Sequence, residues 1–494
     1  MLFQAAAAVV ALAASASAQG IKCSGHSVPA SAVLSVAWIS FDVGTLIVME
    51  ASFSYDLNPI RATVPAFTAP AAAPTAASSF YTGSNNGTLV NGPVVAGKAF
   101  DRFITIWLEN TDYSVAATNS YLQSLASQGI LLDNYHAVTH PSEPNYMSVV
   151  GGDYWGCVDD ALHELGQNAS TVVDLLEAKK ISWAVYQENM PTDGYTGFNY
   201  QNPADNYTYY VRKHNPVIFY DSVALNSSRA SRIRNYNDFA ADVSANVMPQ
   251  WSFFTPNMKN DGHDTDINWV GNYTQYFLGG LLNNPNFNTE RTLILLTFDE
   301  NESYAADNNR VFAVLLGGAV TNSKMAGTVD STFYTHYSTL STVQNNWGLG
   351  SLGRHDTVPT VANVFNFVAS QTGYSNVAVT TQPSLNSSAS YTGPFNVNYW
   401  TPVLAPNVTA VGAGGGPVFV DPSVNLALTS ATPVNLTALA AAAAAPAAAA
   451  ATGDNTGVIA GSIAGVVGAG IILSAIVFVI WVRPDMKKHV EEQK

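Results

Sequence analysis

Cysteine is almost missing from this chain: Cys23 and Cys157 are the only 2. That excludes a disulfide scaffold and leaves open one bridge or two free thiols. Positive charge is also scarce, with 20 Lys and Arg against 35 Asp and Glu and a formal charge of −15. This balance excludes nucleic-acid binding as a main role. It fits a protein that stays soluble in acid surroundings outside the cell. Charge is absent altogether near both ends, where two apolar runs occur.

The first run, MLFQAAAAVVALAASASAQG, closes on Ala16-Ser17-Ala18. It is too short to span a bilayer and has a small-x-small cleavage pattern, so residues 1–18 read as a secretory signal peptide. Asn-x-Ser/Thr sequons follow at Asn86, Asn168, Asn206, Asn226, Asn272, Asn301, Asn386, Asn407 and Asn435. Their density, behind a signal peptide, points to a glycosylating secretory pathway and so to a eukaryote. The second run, 457–482, is uncharged and long enough for a single transmembrane helix. Arg483, Lys487 and Lys488 follow it and would hold the 483–494 tail in the cytosol, as in a type I surface protein. Gly461 and Gly465 have GxxxG spacing, a weak dimerisation signal.

Residues 401–456, rich in Ala, Pro and Thr, cannot build a varied apolar face and read as a stalk. Residues 19–98 form an N-terminal extension. Within it, 24–53 is apolar and weakly patterned, and reads equally as a buried hairpin, an interfacial segment or translated intron; no function attaches to it. What remains, 99–400, is long enough for one large domain. There apolar strand-like runs (FDRFITIWLEN, LLDNYHAVTH, ISWAVYQE, WSFFTPN, TLILLTFDEN, VFAVLLGG) alternate with helical patterns (TNSYLQSLASQGI, STVVDLLEAK). Such alternation predicts an α/β fold, a three-layer sandwich around a largely parallel sheet. Function in these folds gathers at the carboxyl ends of strands.

Glu109-Asn110 and Asp299-Glu300 stand at two such ends. They are either solvated loop acids or ligands of a cation that offsets the penalty of burial. An oxygen-rich set suits Ca²⁺, Mg²⁺ or Mn²⁺ better than zinc. Ser142 follows the His140-Pro141 step and opens a helical pattern, so it serves as a helix cap or as a nucleophile where free N–H groups receive an anion. His214 in RKHNP, His263 in NDGHD and His336 in THYST stand among polar residues. They are surface residues, or groups that contact an anion and pass protons near neutral pH. Arg212 and Lys213 add charge there or merely lie along the surface.

The pieces LEN, HPSEPNY, RKHNP, SFFTPNMKNDGHDTD, LLTFDENES and THYSTLSTVQNNWGLGSLGRHD, in this order, resemble the phosphoesterase family of secreted acid phosphatases, the fungal phosphate-repressible type most closely. The resemblance spans about residues 99–371. It implies an alkaline-phosphatase-like fold and kinship with bacterial phospholipases C. Carried over by motif, Ser142 is the nucleophile and Asn145 a phosphate-contacting amide. Glu109, Asn110, Asp299 and Glu300 surround a divalent metal, and His263 and His214 are active-site histidines. Ser142 and Tyr146 are the phosphatase-type residues where the phospholipase branch has Thr and Arg. A glycan at Asn301 would crowd Glu300. The implied activity is hydrolysis of small phosphomonoesters outside the cell. The alternatives are a phospholipase C-type phosphodiesterase and a non-enzymatic glycosylated surface protein.

Overall fold

The computed structural model describes residues 36–41, 44–49, 86–304, 307–385 and 390–444. The chain divides into two units at 440/441, the second lying almost wholly outside the described residues. Strands β1 (Val36–Phe41) and β2 (Gly44–Met49) pair as an antiparallel hairpin inside the unassigned apolar segment. The sheet-forming body supplies β3 (Arg102–Leu108), β4 (Ile130–Leu132), β5 (Tyr135–His136), β6 (Trp183–Gln187), β7 (Asn199–Gln201) and β8 (Thr208–Val211). It continues with β9 (Ile233–Asn235), β10 (Trp251–Thr255), β11 (Thr292–Phe298), β12 (Ala313–Leu316), β13 (Thr328–Asp330) and β14 (Tyr334–Thr335).

Eight of these make one sheet in the order β13-β4-β12-β11-β3-β10-β6-β9. Every pairing in it is parallel except the two made by β12. The largely parallel sheet expected from the alternation is therefore present, with β12 as the reversed strand. Its directions explain the fully apolar runs, because a parallel sheet is covered on both faces. Strand β10 shows this within two residues. Phe253 meets Trp107 at 5.2 Å and Tyr146 on one face, while Phe254 meets Phe239 at 4.6 Å and Phe277 on the other. Period-two alternation thus sends neighbouring aromatic rings into opposite helical layers.

The helices begin and end where local chemistry directs. Asn119 caps Ser120–Gln128 by accepting from Tyr121 and Leu122 N–H, and Gly129 follows its end. Thr171 and Asp174 form a capping box on Val172–Ala178. The helix Ser142–Gly151 is buried along its whole length and stops at Gly152, whose φ of 71° belongs to the left-handed region that glycine enters freely.

Residues 401–434, counted with the stalk by composition, lie along the body. Trp400 and Val434 exchange backbone hydrogen bonds at 2.9 Å, Asn407 N–H donates to Gly353 O, and Phe419 N–H donates to Ser351 O. No helix among the described residues is long and apolar enough to cross a membrane. The predicted signal peptide, the 457–482 span and its Gly461/Gly465 pair lie outside the described residues. Of the sequons, Asn301 is buried and its Nδ2 donates to Ser303 O at 2.9 Å, while Asn386 falls outside the description. The other sequon asparagines are exposed.

Candidate active site

Strands β3, β10 and β11 run side by side and in parallel, so their carboxyl ends open on the same edge of the sheet. Their loops are tied together there: Asp299 N–H donates to Leu108 O at 2.9 Å, and Glu109 N–H to Asp261 O at 2.8 Å. This brings Glu109, Asp261, Asp299 and Glu300 together, each with 0–1% of its surface exposed. Asn110, at φ 28°, donates its N–H to Asp299 Oδ1 at 3.1 Å. With its amide nitrogen turned inward, Asn110 also donates to Asp299 Oδ1 at 3.2 Å and Glu109 Oε2 at 3.1 Å.

Ser142 opens the buried helix and is aimed at these acids. Its Oγ donates within 3.2 Å of Glu109 Oε2 and 3.3 Å of Glu300 Oε1. The structure thus joins Ser142 to both sequence-predicted acid pairs. Tyr146, one turn along the same helix face, donates its hydroxyl to Glu109 Oε1. The helix N-terminus itself offers little to an anion, since Glu143 N–H already donates to Asp160 Oδ1 at 3.0 Å and Pro144 has no N–H.

Asn145 is at the site with its amide committed. Its Oδ1 accepts from Val138 and Thr139 N–H, and its Nδ2 faces Thr139 O, Pro141 O and Glu300 Oε2 at 2.9–3.3 Å. This arrangement braces the 138–141 loop and Glu300.

His214 sits in the 3₁₀ turn Arg212–His214, with Nε2 3.3 Å from Glu109 Oε1 and Nδ1 3.5 Å from Asp261 Oδ2. His263 has Nδ1 2.9 Å from Asp264 Oδ1 and Nε2 3.3 Å from Lys213 Nζ. The two rings are 5.6 Å apart, so the histidine loops do meet. Lys213 is buried and bonds Asp160 Oδ2 at 2.9 Å. Arg212 points elsewhere, donating to His163 O and Ile218 O. His336 is not a loop residue: it lies at the start of the buried helix His336–Trp347, with Nε2 2.6 Å from Asp299 O. It thereby holds the main chain just past the end of β11.

Burial drives the electrostatics. It raises Glu109 well above the usual carboxylate range, with Asp299 and Asp261 adding to the effect. It raises Glu300, again with Asp299, and raises Asp261 against the hydrogen bond from His263 N–H. Asp299 is pushed up to about 6 by burial, with hydrogen bonds holding it down. Burial and the neighbouring Lys213 hold His214 and His263 below the usual imidazole range. Burial alone would lower Lys213, but Asp160 and Glu109 outweigh it and keep the ammonium charged. Four acids crowding one lysine form a site short of positive charge.

Sequence reasoning passed over three participants. Asp261 stands six residues past the end of β10 (NDGHD), where the strand-end rule already pointed but His263 took the attention. His140, read only as half of a rigid step, has Nδ1 2.7 Å from Glu300 Oε2 and is pushed down to about 4 chiefly by burial. Asp160 had no local signal, since its partners Lys213 and Glu143 are distant in sequence.

Residues 98–350 match the Phosphoesterase family. The chain is 49% identical to a probable acid phosphatase of Kluyveromyces lactis, over 66% of this chain and 75% of that protein. It is 48% identical to an acid phosphatase of Aspergillus fumigatus, over 62% of this chain and 67% of the other. Among solved structures, a protein in the alkaline phosphatase superfamily from Vibrio parahaemolyticus is similar at 12% identity and a TM-score of 0.34, over 57% of this chain and 71% of that one. The family match contains Ser142, the strand-end acids and both histidine loops, and by it the chain belongs to the phosphoesterase family.

Proposed function

We propose that this chain is an acid phosphatase, a phosphoric ester hydrolase that releases phosphate from small monoesters with Ser142 as nucleophile. The observation that carries the reading is Ser142 Oγ at 3.2 and 3.3 Å from two buried carboxylates at the ends of parallel strands. High identity to fungal acid phosphatases supports the reaction class.

The donor set fits a divalent cation. Ligand atoms of Glu109, His214 and Asp261 all lie within 4.8 Å of one another, and burial together with mutual repulsion makes these carboxylates costly to ionise unless a cation is present. Glu109, Asn110, Asp261, Asp299 and His214 would hold the ion, and the preponderance of oxygen favours Mg²⁺, Mn²⁺ or Ca²⁺. Bound there, such an ion supplies charge that stabilises an alkoxide and screens phosphate oxygens.

The side chains then have distinct tasks. Ser142 Oγ attacks phosphorus in line, and its proton passes to the carboxylate it already faces, Glu109 or Glu300. Lys213 and the loop of His214 and His263 carry the positive charge and N–H donors for the equatorial oxygens. Protonated under acid conditions, His263, its Nδ1 held by Asp264, gives the leaving oxygen the proton on Nε2. Tyr146 and Asn145 keep Glu109 and Glu300 in place. Water then cleaves the phosphoserine.

The finer placement continues the same reading: an alkaline-phosphatase-like sandwich over 99–400, secreted behind 1–18 and tethered by 457–482. Purified protein assayed on p-nitrophenyl phosphate across acid to alkaline pH tests the function. Acid-side turnover supports it. Hydrolysis of bis-p-nitrophenyl phosphate or choline lipids in excess of the monoester replaces it with a phospholipase C-type diesterase.

A further inference from the structure

A second cluster, separate from the strand-end acids, begins one residue after Ser142. Glu143 is 1% exposed, and its Oε1 has no hydrogen-bond partner. Cys157 is fully buried and has no disulfide partner among the described residues, and its Sγ donates to Asp159 O at 3.1 Å. His163, with 13% of its side chain exposed, is held through Nε2 by Asp159 Oδ1 at 2.6 Å. Ligand atoms of Glu143, Cys157 and His163 all lie within 4.8 Å of one another. None of the three has a task in the hydrolytic chemistry.

The donor types differ from those at the strand ends. A sulfur, an imidazole and a carboxylate suit zinc, whereas the strand-end set is mostly oxygen. A carboxylate that fixes a ring nitrogen, as Asp159 does for His163, is the usual support of a metal-binding histidine. A buried carboxyl oxygen without a hydrogen-bond partner, with Asp159 and Asp160 beside it, is expensive to keep ionised, and an ion would relieve it. No helix or strand is formed between Gly151 and Val172, so Cys157 and His163 sit on a loop that faces Glu143 on the helix. Partly exposed His163 gives an entry path.

We propose that Glu143, Cys157 and His163 bind a zinc ion that ties the 157–163 loop to the first turn of the Ser142 helix. Binding displaces the thiol proton of Cys157 and the carboxyl proton of Glu143 to solvent and forms the Zn–S, Zn–O and Zn–N bonds, with no change of oxidation state. The loop it fixes carries Asp160, which accepts from Glu143 N–H at 3.0 Å and from Lys213 Nζ at 2.9 Å. Zinc here would therefore hold Asp160, and through it Lys213, in register with the active site.

The test is metal replacement in the full chain. Stripped protein is reloaded with Zn²⁺ or with Co²⁺, whose bond to a thiolate gives a near-ultraviolet charge-transfer band. The expected result is that band in the wild type and in Glu109→Gln, and its loss in Cys157→Ser. Zinc retention should weaken roughly 10- to 100-fold in Asp159→Asn, which loses the support of His163. His163→Ala, at a partly exposed position, replaces Cys157→Ser if the buried serine prevents folding. The proposal is overturned if Co²⁺-loaded wild type shows no such band, if zinc binding is unchanged in these variants, or if non-reducing peptide mapping finds Cys157 bridged to Cys23. Because the readouts are metal content and a thiolate spectrum, the result does not depend on the identity of the catalytic residues.

Discussion

Two groups of buried acids sit on the same sheet and are handled in opposite ways. Around Arg234 on β9, Asp193, Asp238 and Asp242 lie 3.1–3.4 Å from the guanidinium. They also receive N–H groups from Asn86 and Leu89 and the hydroxyl of Tyr186, so the cluster fastens residues 86–89 to the body. At the ends of β3, β10 and β11, four acids face one lysine, and Lys213 gives its hydrogen bond to Asp160 instead. A buried acid with a planar guanidinium and backbone donors is a fastening; a buried acid among other acids is held there for a ligand. The difference separates structure from function among residues of identical chemistry.

The contrast is open to attack from both sides. Ser142→Ala should lower turnover on p-nitrophenyl phosphate roughly ten-thousand-fold or more while the melting temperature stays put. Comparable loss of stability would make Ser142 a cap and no more. Arg234→Met, which removes the cation that pairs with all three acids, should lower unfolding free energy by about 3–5 kcal/mol in urea titration, with specific activity of the folded fraction preserved. Glu109→Gln should reverse that pattern: activity down by roughly 10²–10³, bound divalent metal lost by elemental analysis, and metal-free stability equal to or above wild type.

The smallest effect concerns pH. Burial, helped by Asp238, pushes Asp193 up to about 8 from an ordinary value of 3.8. A raised carboxyl contributes stability that is fully present below its unfolded pKa and is lost as pH rises through the folded one. Asp193→Asn should therefore flatten the decline in melting temperature between about pH 4 and pH 8. A variant that declines as steeply as wild type would remove Asp193 from that account.

The parts legible in the sequence were those with a local signature. Apolar runs ending in LEN and FDEN marked β3 and β11, and parallel-sheet physics then placed Glu109 and Asp299 on a common edge. Ser142 was visible because a serine after His-Pro opens a helix. The reversed direction of β12 was not legible, since a buried antiparallel strand between two strands has the same apolar run as a parallel one. Nor were the contacts of Asn145 with Glu300 and of Asp160 with Lys213, because hydrogen bonds across long sequence separations leave no local pattern. For residues 401–434 composition carries no trace of their contacts: Ala, Pro and Gly do not build a core, yet their backbone pairs with Gly353 and Ser351 without needing one.

The most direct test of the account is acid-quench peptide mass spectrometry during turnover of p-nitrophenyl phosphate. The account predicts phosphate on the peptide carrying Ser142, appearing within the first turnovers and missing in Ser142→Ala. Full turnover with Ser142 unmodified, or with the phosphate on His214 or His263, would contradict it.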